Sequence, residues 1–255
     1  MITQALVANG AKVYITSRRD EGDVSDKSNI KCLYDEMCQK EPKGIQLLVN
    51  NAGIATKYST AGQPEMSDPQ AITDHFWQTE EQSWADTFET NVTGVYYMTM
   101  AFLPLLERGR EVTPGYTSSV VNVTSISGFM KGNSSGQFAY ASSKAVATHL
   151  TRMLATTFAE TKVRVNCIAP GVFPSEMTTG ESGEGNKSVI DKGMSSPAGR
   201  PGNDFDMAAS TLFLAGPGGV FSTNRHYSLM GVGLSSSLLL IMLIVRRKHS
   251  RSAGC

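Results

Sequence analysis

Apolar residues along the chain alternate between two periods. Ile2, Ala5 and Leu6 recur at helical spacing, and Asn9-Gly10 places a glycine where such a helix would stop. Lys12 to Ser17 is short, β-branched and aromatic, the pattern of a strand. From Asp26 to Lys40 a polar stretch carries Ile30, Leu33, Tyr34 and Met37, which predicts an amphipathic helix with an acidic N-cap. Ile45 to Val49 is an unbroken apolar run before Asn50-Asn51-Ala52-Gly53, a buried strand and its turn. Residues 55–75 are rich in Thr, Ser, Gly and Pro and read as a loop.

A long helix is predicted from Ser83 to Leu106, with Trp84, Phe88, Val92, Val95 and Met98 on its inner side. Ser119 to Thr124 is another strand, residues 127–138 form a Gly/Ser-rich connection, and Tyr140 to Glu160 is a helix with apolar residues at steps of three and four. Val163 to Ile168 is a strand closed by Pro170-Gly171, and a further helix spans Asp204 to Leu214. Strands alternating with amphipathic helices specify an α/β fold, a parallel sheet covered on both faces. Ligands of such sheets sit beyond the carboxyl ends of the strands. That gathers Ser17-Arg18, Asn50 to Gly53, Thr124-Ser125 and Pro170 to Ser175 on one rim.

Composition narrows the function more than the fold. The 255 residues are 40 % hydrophobic and 18 % charged, with 23 basic against 23 acidic side chains, so no basic field points to nucleic acid. Cys32, Cys38, Cys167 and Cys255 lack zinc spacing and read as reduced thiols of a cytoplasmic protein. Asn-x-Ser/Thr triplets begin at Asn91, Asn122, Asn133 and Asn186; no signal-peptide pattern opens the sequence, and they are read as chance. No metal site is expected.

The chemistry-bearing spacing is Tyr140-x-x-x-Lys144, which puts a phenol and an ammonium on one helix face. Making a phenol usable as a base at about pH 7 requires stabilising its anion by roughly 4 kcal/mol. A cation about 4 Å away supplies that much at an effective dielectric of about 20. Taken alone the spacing is commonly a surface pair. Its company is what counts: Asn122 to Gly128 brings a serine hydroxyl to the rim, and Asn91-Val92-Thr93-Gly94 lies within the long helix.

From about Ile2 to Phe221 the chain resembles the short-chain dehydrogenase/reductase family. The likeness rests on Leu47 to Gly53 (LLVNNAG), Tyr140-x-x-x-Lys144, Arg164 to Gly171 (RVNCIAPG) and Gly199 to Gly202 (GRPG), in the family's order. The resemblance implies a Rossmann-type doubly wound sheet, with Tyr140 as general acid/base and Lys144 lowering its pKa and holding the nicotinamide ribose. Ser125 would bond the substrate oxygen, with a strand-end turn as its alternative role. Asn91 would kink its helix and hold a water of a proton relay, the alternative being a packed helix asparagine. An arginine rather than a carboxylate after the second family strand accommodates a 2′-phosphate. Ser17-Arg18-Arg19 therefore favours NADP(H) over NAD(H), unless it is only a solvated basic turn. Asp23 and Val24 would meet the adenine, Asn50, Ala52 and Gly53 the adenine ribose, and Val172 and Ser175 the nicotinamide carboxamide. Phe173 and Met177 would wall the substrate site. Residues 169–178 are similar to those of 3-oxoacyl reductases, a pointer to β-keto substrates. Family members commonly pair through the helices near 83–106 and 140–160, which implies a homodimer or homotetramer.

Three departures are expected from the same resemblance. The family's opening strand and glycine-rich loop are not in the sequence, and the Gly180 to Gly185 cluster does not replace them. Arg18 to Glu21 is too short for a parallel crossover of about a dozen residues, so a helix and most of a third strand are missing. The family's last strand is not recognisable after Phe221. Instead Tyr227 to Val245 is an uncharged run of 19 residues followed by Arg246 and Arg247, the pattern of a marginal transmembrane helix. The expected organisation is an incomplete Rossmann-type oxidoreductase domain over residues 1–221 and an atypical tail over 222–255. The leading function is a soluble, cytoplasmic oxidoreductase acting on a small ketone or secondary alcohol with NADP(H). The rival is an inactive paralogue, or a fragment from an aberrant gene structure, acting at most as a binding or membrane-tethered protein.

Overall fold

The computed structural model of the protein describes residues 1–16, 23–55, 63–112, 115–132, 134–174, 198–224, 226–229 and 242–247. Ser17, Arg18, Asn133, Ser175, Met177, the Gly180 to Gly185 cluster and Asn186 lie outside them. Helix α1 (Ile2–Ala8) ends at Asn9, and Gly10 takes the left-handed conformation (φ +78°) that turns the chain into β1 (Ala11–Thr16). The predicted acidic cap is present: Asp26 accepts from the Ser28 amide at 2.7 Å and opens α2 (Lys27–Lys40). At the far end of α2 the buried Glu41 carboxylate accepts from Lys12 Nζ and Tyr14 Oη, both at 2.8 Å, which ties the helix back to the start of β1. The N-terminus of α2 thus lies toward the end of β1 that faces the rim.

Strands β2 (Leu47–Asn50), β3 (Ser119–Val123), β4 (Arg164–Pro170) and β5 (His226–Leu229) pair in parallel, each with the next. Side chains alternate between two cores, as the pleat requires. Leu48, Val120 and Val165 pack with Ile30, Met98, Phe102 and Leu154 on one face, and Leu47, Val49, Val121 and Ile168 pack with Leu6, Met207 and Leu214 on the other. Burial on both faces explains why these strands read as continuous apolar runs. Leu6 belongs to α1, and Met207 and Leu214 belong to the last helix, α7 (Asp204–Ala215).

Several expectations are corrected. The segment read as a loop over 55–75 runs into helix α3 (Pro69–Phe76), capped by Asp68, whose partly buried Ala71, Ile72, His75 and Phe76 share one face in too short a stretch to outweigh the Thr, Ser, Gly and Pro around it. The long helix is three pieces: α4 (Glu81–Phe88), a π-turn over Glu89–Gly94, and α5 (Val95–Glu111). Helix α6 (Phe138–Thr157) begins two residues before Tyr140. A strand does follow Phe221, since β5 extends the parallel sheet beside β4. The uncharged run is not one helix: its described parts lie in β5 and in β6 (Met242–Arg247), and backbone pairing in the sheet takes the place of lipid burial. Among the described residues no helix is long and apolar enough to cross a membrane. Asn91 and Asn122 are buried, which removes both triplets as glycosylation acceptors.

Sheet order is β1-β6-β2-β3-β4-β5. β6 runs antiparallel to both neighbours, pairing Met242 with Thr16 and Asn50 at one end and Arg247 with Ala11 at the other.

Candidate active site

The carboxyl ends of β2 and β3 deliver the site. After β3, Ser125 caps a 3-10 turn (Ile126–Gly128), its Oγ accepting from the Ser127 amide at 3.1 Å. Gly128 lets that turn lie directly on α6: a methyl there would sit 2.7 Å from the Ala145 nitrogen and 2.8 Å from the Lys144 carbonyl carbon. The residues that lengthen the connection form a left-handed turn at Ser134, Ser135 and Gly136 (φ 52°, 55° and 88°), from which α6 starts. The Ser125 hydroxyl is thereby brought to the Tyr140 phenol, where it favours the phenolate.

Lys144 Nζ donates to the Val123 carbonyl at 3.1 Å and lies 5.7 Å from the centre of the Tyr140 ring. Burial pushes this amine down to about 8. Burial likewise raises the Tyr140 phenol above its ordinary value, and the Ser125 hydrogen bond pulls in the opposite direction. In the ligand-free site burial and the Ser125 hydroxyl are what act on the Tyr140 phenol, and burial is the larger. The hydroxyl of Ser125 is what favours the phenolate.

Asn91 sits at the π-turn and holds three elements. Its Nδ2 donates to the Ile54 carbonyl and to Ser143 Oγ, both at 2.9 Å, and its Oδ1 accepts from the Ile54 amide at 2.8 Å. The helix is widened into a π-turn at Asn91, and the Asn91 side chain is bonded to protein groups. Ser143, which sequence reasoning passed over, donates in turn to the Tyr140 carbonyl at 2.8 Å. Its position one residue before Lys144 was the available signal.

The remaining candidates divide. Gly53 lies against the pair: a methyl on it would come within 2.9 Å of Lys144 Nζ and 3.2 Å of Asn91 Oδ1. Ala52 is buried beside it. Asn50 is not open to a ligand through its side chain, because its Nδ2 donates to Thr99 Oγ1 (3.0 Å) and Asn122 Oδ1 (2.8 Å), and Asn122 donates on to Thr151 Oγ1 at 2.9 Å. Asp23 accepts from the amide and hydroxyl of Ser25 in its own turn. Val24 is buried, with its carbonyl against Gly94. Val172 is buried after β4, accepting from the Gly202 amide at 2.9 Å. Phe173 does not wall a substrate site: it packs in the core with Leu6, Val49 and Met207, its ring over Gly202, because the Pro170-Gly171 turn directs it back under the sheet. Among the described residues no metal-binding cluster occurs.

A nicotinamide dinucleotide fits one half of this rim. Gly53 carries no side chain that would displace Lys144 or Asn91, and the Lys144 ammonium, which donates to the Val123 carbonyl, has further protons to offer a ribose. The half that should hold the pyrophosphate is different. Between β1 and β2 the sheet holds the antiparallel β6, not a parallel strand leading into a helix.

The short chain dehydrogenase family profile matches residues 1–185. The chain is similar to the short-chain dehydrogenase/reductase PhomF of Diaporthe leptostromiformis, 36% identical over 242 residues covering 87% of this chain and 82% of the relative. It is also similar to the rhamnolipids biosynthesis 3-oxoacyl-acyl-carrier-protein reductase of Pseudomonas aeruginosa, 29% identical over 88% of this chain and 87% of that one. Among solved structures, a Pseudomonas aeruginosa RhlG/NADP active-site complex superposes with a TM-score of 0.61 at 25% identity, covering 81% of this chain and 72% of that chain.

Proposed function

The chain belongs to the short-chain dehydrogenase/reductase family of NAD(P)-dependent oxidoreductases, and on that premise we propose that it interconverts a ketone and a secondary alcohol with NADP(H), Tyr140 serving as general acid/base. The observation that carries the reading is the geometry around Tyr140: Lys144 Nζ lies 5.7 Å from the centre of its ring, anchored on the Val123 carbonyl at 3.1 Å, and the Ser125 hydroxyl favours the phenolate. In the reducing direction Tyr140 gives its proton to the substrate oxygen as charge develops there, and in the reverse direction it removes that proton. Ser125 orients the same oxygen. Asn91 and Ser143 are positioning residues that fix the first turn of α6. Lys144 would hold the nicotinamide ribose and Gly53 would line the adenine ribose, and the bound nicotinamide supplies or accepts the hydride.

NADP(H) rather than NAD(H) is favoured by Arg18-Arg19 after β1, with no carboxylate before them in that turn, and by the similarity to a protein solved with NADP. A β-keto substrate class is favoured by similarity to 3-oxoacyl reductases. The test follows absorbance of NADPH at millimolar cofactor with β-keto esters, β-keto thioesters and simple ketones. Turnover that falls roughly 100-fold or more in Tyr140→Phe, with the circular dichroism spectrum unchanged, supports the proposal. Equal turnover by Tyr140→Phe, or none of these substrates being reduced, overturns it.

A further inference from the structure

Tyr140 and Lys144 stand on α6 while Ser125 follows β3, so the site depends on how that helix sits on that strand. A buried amide lies at the joint. Asn122, next to last in β3, is in register with Asn50 of β2. Its Oδ1 accepts from Asn50 Nδ2 at 2.8 Å, and Asn50 Nδ2 also donates to Thr99 Oγ1 of α5 at 3.0 Å. Asn122 Nδ2 donates to Thr151 Oγ1 of α6 at 2.9 Å. The direction of this chain of bonds is fixed. Thr99 gives its hydroxyl proton to the Val95 carbonyl (2.6 Å) and Thr151 gives its own to the Ala147 carbonyl (2.8 Å), so each hydroxyl accepts from the amide facing it. A reversed Asn122 amide would set oxygen against oxygen at Thr151 and N–H against N–H at Asn50.

Asn122 and Val123 are consecutive, and each holds α6. The Asn122 side chain takes Thr151, and the Val123 carbonyl accepts from Lys144 Nζ at 3.1 Å. Lys144 and Thr151 are seven positions apart, two turns along one helix face, or about 10 Å. The two holds differ in stiffness. A lysine reaches through a flexible four-carbon stem and follows a shifted helix. An asparagine amide and a threonine hydroxyl are short and meet at one height only. Sliding α6 along β3 would carry Tyr140 away from Ser125, which stays with the strand.

We propose that Asn122 is a positioning residue for the Tyr140 site: through Thr151 it fixes α6 on β3 at the height where Lys144 meets the Val123 carbonyl and Tyr140 stands at Ser125. The inference rests on the proposed reaction at Tyr140 and adds the part that sets the spacing of its reacting groups. Asn91 is held separately, by its own bonds to Ile54 and Ser143. The Thr99 end of the chain therefore secures α5 without setting the height of α6.

The test uses the intact chain, NADPH and the best-reduced compound of the turnover assay. Thr151→Val removes the acceptor at nearly constant volume. It is expected to lower kcat roughly tenfold with KM for the carbonyl compound within about threefold. Thr151→Ser, which keeps the hydroxyl, is expected to restore kcat to within about twofold of the wild type. Thr99→Val breaks the matching bond on α5 and is the control for lost stability: it should lower the unfolding midpoint as Thr151→Val does, yet leave kcat within about twofold. Asn122→Leu combined with Thr151→Val should be no slower than either alone, because both open one joint. Equal kcat losses in Thr99→Val and Thr151→Val, no recovery in Thr151→Ser, or an unchanged kcat in Thr151→Val overturns the inference and leaves the oxidoreductase reading standing. If Thr151→Val is not recovered folded, Asn122→Leu is judged by the same limits. A wild-type chain that reduces none of the compounds overturns both.

Discussion

Tyr140 and Lys144 are placed by spacing but charged by burial. Two positions four apart on a helix must share a face, so their pairing was readable before any fold was known. Their protonation was not, because it depends on how much water the neighbouring elements exclude. Lys144 is 4 % exposed and its amine titrates at about 8 against an ordinary 10.5. Between those two values the unfolded chain holds the proton and the folded chain does not, so stability contributed by this group rises with pH across the window, by up to about 3 kcal/mol. The buried Cys167 thiol, pushed up to about 11, contributes a fall with pH above about 9, so the Lys144 contribution is read as the difference between wild type and Lys144→Met in urea unfolding at intervals through that window. An unchanged slope in the Met variant contradicts the burial argument. Asn50 teaches the same lesson from the other direction. Its motif position suggested a cofactor contact, yet its amide is consumed by Thr99 and Asn122 inside the sheet.

Elements meet where glycine removes a side chain. Gly109, near the end of α5, is pressed on the start of β2: a methyl there would lie 1.8 Å from the Ile45 carbonyl oxygen. The Ile45 amide is meanwhile bonded to the Leu105 carbonyl at 3.0 Å, which locks the approach. Gly109→Ala must therefore separate helix from strand, with an expected loss of about 3 kcal/mol in equilibrium unfolding. A loss under about 1 kcal/mol would show that the contact relaxes easily. Gly109 read as connection material in the sequence, because nothing local marks a close backbone approach. Helices α1 and α2, in contrast, were legible almost to the residue. Their stop and start signals, Asn9-Gly10 and Asp26, act on the backbone groups immediately beside them. A kink at Asn91 was expected from the family resemblance, but its bonds to Ile54, 37 residues away in sequence, were not legible.

Across the whole molecule, one buried cation joins the last helix to the sheet. The Arg164 guanidinium, at the start of β4, donates to the carbonyls of Leu214, Gly219, Ser222 and Thr117 and to Thr117 Oγ1. The Leu214, Gly219 and Ser222 carbonyls lie at the end of α7 and in the turn beyond it, and Thr117 lies just before β3, so one side chain satisfies groups from both. Arg164→Met keeps the apolar stem but orphans those carbonyls, and should lower stability by about 3 kcal/mol or more in thermal or denaturant unfolding. Near-native stability of that variant would mean the turn finds other donors. The family motif containing Arg164 is thus a structural feature before it is a catalytic one.

The sequence by itself determined what nearest neighbours along the chain can settle. Alternation of apolar runs with amphipathic segments specified parallel strands buried on both faces, and caps set the helix ends. The four motifs in order identified the family and pointed to Tyr140, Ser125, Asn91 and Lys144. Only the tertiary structure decided which strand stands beside which, because hydrogen-bond pairing is made between backbones and carries little side-chain signal. It placed the described parts of an uncharged run that resembles a membrane span in two strands of one sheet, β5 at its edge and β6 between β1 and β2. It also set the site's electrostatics, since desolvation is a property of everything packed around a group and not of its sequence neighbours.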